Sequence, residues 1–140
     1  MRVRTLLLAL FAAACQSDQS GIVTGPQGLL TPGTWGGANS EIDVGSSDTR
    51  ISIGCQSGTF PAHINIVGQG MFTADGTWNI SVGPVLLNGD MPAQVSGQVI
   101  GSNVSFAVAV YDTTNKRVIA LGPETATYGH QSGSIICPVN

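Results

Sequence analysis

Three cysteines, two histidines and eight carboxylates are the side chains of this 140-residue chain with chemistry to offer. The cysteines are Cys15, Cys55 and Cys137. In a secreted protein an odd number leaves one thiol over from any disulfide framework, and that thiol needs its own explanation. His63 and His130 stand in no His-x-His spacing, and no Cys-x-x-Cys occurs. A zinc centre with three or four converging ligands is therefore not expected, nor any other metal or cofactor. His130 with Ser132 or Ser134 and an aspartate would make a nucleophilic triad on paper. The Gly-x-Ser-x-Gly elbow and the helix that carry such a nucleophile are both missing from the pattern. Glu41 and Asp43 share one face of a strand. They would suit glycoside hydrolysis only if they flanked a sugar, and the alternation around them places them on a hydrated rim. His63 projects opposite Ile64 and Ile66 and reads as an exposed or half-buried strand residue. Tyr111 and Tyr128 read as strand-end residues with wet hydroxyls, and Trp35 as core. The chain is expected not to be an enzyme.

The leftover cysteine finds its explanation at the N-terminus. Met1-Arg2-Val3-Arg4 is basic, and Thr5 to Ala14 is uncharged and mostly Leu and Ala. These are the n-region and h-region of a secretory signal. The apolar run is far shorter than the ~20 residues a spanning helix needs. It ends Ala12-Ala13-Ala14-Cys15, which resembles the lipobox of bacterial lipoproteins. The resemblance implies cleavage before Cys15, diacylation of its sulfur and attachment to the membrane through the acyl chains. By the sorting rule of that family, Gln16 in place of Asp implies export to the outer membrane, facing the periplasm or the cell surface. Losing residues 1–14 removes Arg2 and Arg4 and takes the formal net charge from −3 to −5. Such a body has no pull toward anionic headgroups, and the same acidic balance argues against nucleic acid as a partner.

The elements that must position these residues follow a period of two. Residues 15–32, rich in Gly, Ser, Gln and Pro, read as a lipidated N-terminus and flexible tether, leaving 33–140 as the domain. Within it, apolar residues alternate with polar or small ones at 41–44, 50–55, 63–66, 77–82, 94–99 and 104–111, and the runs 118–121 and 134–137 complete the set. Turn chemistry separates the runs: Gly45 to Asp48, Asp75-Gly76, Asn88-Gly89, Gly101 to Asn103 and Asp112 to Asn115. No segment has helical spacing. About eight short strands in one domain predict an all-β protein, a small antiparallel, calycin-like barrel or a tight sandwich. Closure into a barrel is favoured because it removes exposed edges. Only 9% of residues are charged, while Ser, Thr, Asn and Gln number 40. The outward strand positions are thus neutral and polar.

Parity bears on the remaining cysteines. Cys55 falls on the face of Ile51 and Ile53, and Cys137 on that of Ile135. Both sulfurs are expected to point to the core and to pair, in an oxidising compartment. The alternative is two buried free thiols acting as small hydrophobes.

Gly33-Thr34-Trp35-Gly36-Gly37, Cys55 followed by Gly58, Gly83-Pro84, Gly97, Gly101 and a terminal Cys137 resemble an uncharacterised family of small secreted bacterial β proteins and lipoproteins. The resemblance covers about residues 33 to 138 and brings no activity with it. Gly33-Thr34-Trp35 is also similar to the Gly-x-Trp that opens the first strand of lipocalins and avidins. Size, anchor and cysteine pair resemble small periplasmic inhibitors of hydrolases, without their inhibitory motifs. The expected role is non-enzymatic, binding or structural, with an unidentified partner. One alternative is carriage of a small apolar ligand inside the barrel, for which Gly97, Ala107 and Ala109 offer small interior positions. The other is inhibition of a periplasmic hydrolase through the long irregular stretch 83–92.

Overall fold

Alternation of polar and apolar residues gives each strand one wet and one dry face, and eight such strands close on themselves. The computed structural model describes residues 24–25, 28–82, 85–86 and 89–134. The barrel strands are β1 (Gly33–Gly36), β2 (Ser40–Val44), β3 (Asp48–Ile53), β4 (Gln56–Pro61), β5 (Met71–Asn79), β6 (Met91–Ile100), β7 (Asn103–Asp112) and β8 (Arg117–Tyr128). Each pairs antiparallel with the next, and β8 returns to β1 through Thr127↔Gly36 and Tyr128↔Trp35. The result is a closed up-and-down barrel, which settles the choice against a sandwich.

Eight strands enclose a space that side chains can just fill. Trp35, Ile42, Val44, Ile51, Phe60, Phe72, Trp78, Val95, Val99, Val104, Phe106, Val108 and Val110 fill it. Interior glycines do not leave holes, because a ring from the neighbouring strand lies over each. Gly58 pairs with Trp78, and a Cβ there would meet the indole. At Gly76 a Cβ would stand 2.5 Å from Phe60 Cδ1, and at Gly97 2.6 Å from Phe72 Cζ. Small and large positions thus interlock across β4, β5 and β6. Ala107 and Ala109, expected inside, are on the outer face, because Phe106, Val108 and Val110 take the inward positions of β7.

Several boundaries differ from the sequence reading. The barrel domain begins earlier than residue 33. Leu30 is 1% exposed, its N–H donates to the Ile64 carbonyl at 2.9 Å, and Ile66 N–H donates to the Gly28 carbonyl at 2.6 Å. Leu30 and Ile64 together cap one barrel mouth, so the domain includes at least Gly28 to Pro32. Residues 63–66 are therefore a cap segment, and only Ile66–Val67 pairs with β5. β4, with a single large apolar residue among Gln56 to Pro61, has too little alternation to be read as a strand. It forms because Gly58 receives Trp78. β8 continues past Leu121 because a bulge at Gly122–Pro123 absorbs the proline, which cannot donate to the ladder. Ser134 lies outside any strand, and residues 135–137 lie outside the described ones.

Candidate functional site

The two barrel ends differ in chemistry. The capped end carries Leu29, Leu30, Pro32, the β2–β3 turn, the segment Ala62–Gly70, the β6–β7 turn and Tyr128. The opposite end carries the Gly54-Cys55 turn, Asn79, Asp90, and the β7–β8 turn with Asp112, Lys116 and Arg117.

At the capped end a cleft of about 490 Å³ is lined by Leu29, Leu30, Pro32, Val44, Gly45, Ser46, Ala62 and His63. Its walls are chiefly aliphatic, with the His63 imidazole and Ser46 hydroxyl as polar groups. His63 is exposed, although on a cap segment rather than a strand, and the cap brings it to the rim of this cleft. Beside the cleft, Trp35 is fully buried and donates from Nε1 to the Thr31 carbonyl at 3.1 Å. Tyr128 meets it edge-on, centroids 5.1 Å apart, and its hydroxyl donates to the Pro32 carbonyl at 3.1 Å. This pair rivets the entering chain to the barrel.

On the outer wall, two polar grooves meet at Arg50 and Cys55. One, of about 310 Å³, runs over Ser57, Thr59, Thr77, Asn79 and Asp90; the other, of about 380 Å³, over Glu41, Ser52, Gln56 and Ser132. Cys55 is not on the core face. It occupies the second position of the two-residue β3–β4 turn and is exposed. Gly54 has φ +57 ahead of it. Glycine at the first position is what a type II′ hairpin requires, and the reversal ends the alternation that ran through Ile51 and Ile53. The Cys55 sulfur is bonded rather than free. Cys15 and Cys137 lie outside the described residues.

The other candidates are placed apart from one another. Glu41 is not a hydrated rim residue. Its Oε2 accepts from Ser132 Oγ at 2.8 Å and from Ser132 N–H at 3.3 Å. The tail beyond β8 turns at Gly129 (φ +76), whose N–H donates to the Thr34 carbonyl at 2.8 Å. It then runs outside β1 until Gly133 N–H reaches the Gly37 carbonyl at 3.0 Å. Gly36 makes this path open, since a Cβ there would strike the Gln131 backbone. That is what the second half of the Gly-Thr-Trp-Gly-Gly element does. Asp43 is exposed and stands opposite Arg50 in the β2–β3 register. His130 is exposed on the tail. Tyr111 is exposed opposite Val118. Asn79 donates to Asp90 at 3.2 Å, within a described part of the 83–92 stretch; residues 83–84 and 87–88 lie outside the described ones. No three of the described His, Cys, Asp and Glu side chains converge.

One titratable group is strongly tuned. Asp112 closes β7 with a 3% exposed side chain. Asn115 donates to it from its side chain at 2.8 Å and its backbone at 3.0 Å, and Arg117 Nε donates at 3.1 Å. The Asn115 bonds first, and then Arg117, hold its carboxyl at about 2, against the burial that pulls the other way. This is turn chemistry, with the aspartate organising the β7–β8 connection.

No family model, curated protein or solved structure matches this chain.

Proposed function

We propose that this chain is a non-enzymatic lipoprotein of the bacterial envelope, acylated at Cys15, with its barrel held at the outer membrane in a binding or structural role. The observation that carries the reading is the packing of the barrel. Its interior is occupied by its own rings and branched side chains, so its outer wall and mouths are what it offers a partner. The cysteine arithmetic supports the anchor. The Cys55 sulfur is bonded, which leaves one cysteine of three for lipid. We assign Cys137 as its partner. The tail passes Ser132, which shares a groove with Cys55, and the five residues from there to Cys137 reach up to about 17 Å. The pairing would close most of the domain into one loop, worth roughly 4–5 kcal/mol in the chain-entropy model. Detergent phase partition tests the anchor: the protein made in a bacterial host should enter the detergent phase, and Cys15→Ser should return it to water. A wild-type protein found wholly in the aqueous phase would refute it.

A second reading has one observation in its favour. The capped-end cleft falls within the 300–1,000 Å³ of small-molecule sites and is walled by Leu29, Leu30, Pro32, Val44 and Ala62. Carriage of a small apolar ligand would take place there rather than inside the barrel. Native mass spectrometry of the purified protein should then show a bound small molecule that Ala62→Trp abolishes, and a bare wild-type mass would refute it.

A further inference from the structure

We infer that the capped end is a membrane-seating surface, whose row Val67, Met71 and Ile100 rests in the headgroup region of the bilayer to which Cys15 is attached. This rests on the acylation proposed above.

The row is set by register. Val67 lies directly opposite Met71, and Met71 opposite Gln98. Ile100, the next outward position on β6, is therefore diagonal to Met71. Val67 is 64%, Met71 46% and Ile100 65% exposed, all on the outer face. Scattered single apolar residues on a surface need no explanation, but these three sit side by side. No charged residue occurs among 66–72 or 98–103, which flank them. The local backbone presents the row: Gln69 (φ 60) and Gly70 (φ 80) turn the chain into β5, and Gln98 Nε2 ties that turn to β6 through the Gln69 carbonyl at 2.9 Å. The other exposed apolar pair, Tyr111 and Val118, is at the opposite end among Asp112, Lys116 and Arg117.

Two arguments select a bilayer over a protein. The first is continuity. The chain enters the barrel at the capped end, where Gly28 and Leu30 bond to Ile66 and Ile64. Gly28 follows Cys15 by 13 residues, a span of at most about 45 Å. The segment that leads to the lipid anchor therefore joins the barrel at the same end as the row. The second is size. A stable protein interface buries about 800 Å² per partner, far more than three partly exposed side chains supply. A tethered contact needs much less, because the anchor raises the effective concentration of the membrane. With no Lys or Arg beside the row, the seating should depend on apolar insertion and not on anionic lipid.

The test separates the seat from the anchor. The acylated protein, its anchor confirmed by intact mass, is reconstituted on phosphatidylcholine vesicles, and its amide hydrogen exchange is compared with that of the soluble Cys15→Ser chain; thermal melts confirm that each variant is folded. Anchoring should slow exchange at least threefold across residues 66–72 and 98–103. Val67→Thr/Met71→Thr/Ile100→Thr should abolish that protection, Tyr111→Thr/Val118→Thr should not change it, and added phosphatidylglycerol should not raise it. No protection on anchoring, a triple variant as protected as its parent, or a row whose loss instead abolishes self-association in sedimentation would overturn the inference. Failure of the anchor is read separately, as an unmodified intact mass for the native protein.

Discussion

Replacing Gly97 by Ala is the sharpest probe of whether the barrel is filled or hollow. Gly97 points inward on β6, opposite Phe72 in register. A Cβ at this position would lie 2.6 Å from Phe72 Cζ and 2.8 Å from Cε1, and would also meet the Ser105 carbonyl. Phe72 is 2% exposed and walled in by the core, so its ring has nowhere to retreat. Overpacking of this kind costs about 1–3 kcal/mol. The lower entropy of the unfolded alanine chain returns only about 0.4–1 kcal/mol. A net loss of about 1–2 kcal/mol should lower the thermal midpoint by roughly 4–16 °C. The double variant isolates the ring. Phe72→Leu alone costs less than the 3–5 kcal/mol of a Phe→Ala change, and adding Gly97→Ala to it should cost at least about 1 kcal/mol less than in the wild-type background. Thermal and urea unfolding of the four proteins measure this. A Gly97→Ala variant as stable as wild type, or additive effects, would mean that Phe72 does not occupy the space above Gly97.

Leu30→Ala should destabilise by about 2–5 kcal/mol, because Leu30 is core and not tether; an unchanged urea midpoint would return residues 28–32 to the linker. Ser40 Oγ is buried without a hydrogen-bond partner among the described residues, so Ser40→Ala should be neutral or raise stability by up to about 1 kcal/mol, and a clear loss would reveal a bound water. The carboxyl of Asp112 titrates at about 2 in the fold and 3.8 in the open chain. Its contribution is therefore complete above about pH 4 and lost as pH falls through about 2; Asp112→Asn should flatten the stability profile across that window, and an unaltered profile would refute the assignment. Ser132→Ala removes the shorter of the two hydrogen bonds that hold the tail to Glu41 and should speed reduction of the Cys55 bond by dithiothreitol; an equal rate would separate that hydrogen bond from the protection of the disulfide.

The alternation of β2, β3, β6 and β7 made the all-β class and the approximate strand number legible in sequence, because each strand has one solvated face. What escaped was set by partners distant in sequence. Gln56 to Pro61 becomes a strand because Gly58 accommodates Trp78, twenty residues on, and Leu30 becomes core because Ile64 closes the same mouth. Cys55 left the core face for a local reason, the left-handed Gly54 in front of it, and Gly54 was the one available signal. Ala107 and Ala109 faced outward by plain parity with Val108, so the idea of small residues hollowing the barrel failed on information already in the sequence. The cleft at the capped end was not legible, since it is built by Leu29, Val44 and Ala62 from three separate segments. Glu41 was legible as a strand carboxylate but not as the acceptor for Ser132, a contact across 91 positions.

The central claim is a division of labour among three cysteines, and one measurement reads all of it. Non-reducing peptide mapping by mass spectrometry of the protein exported by a bacterial host should find Cys15 as a diacylated N-terminus and Cys55 linked to Cys137. A Cys55 peptide linked to Cys15, or an unmodified Cys15 in the mature chain, would contradict it.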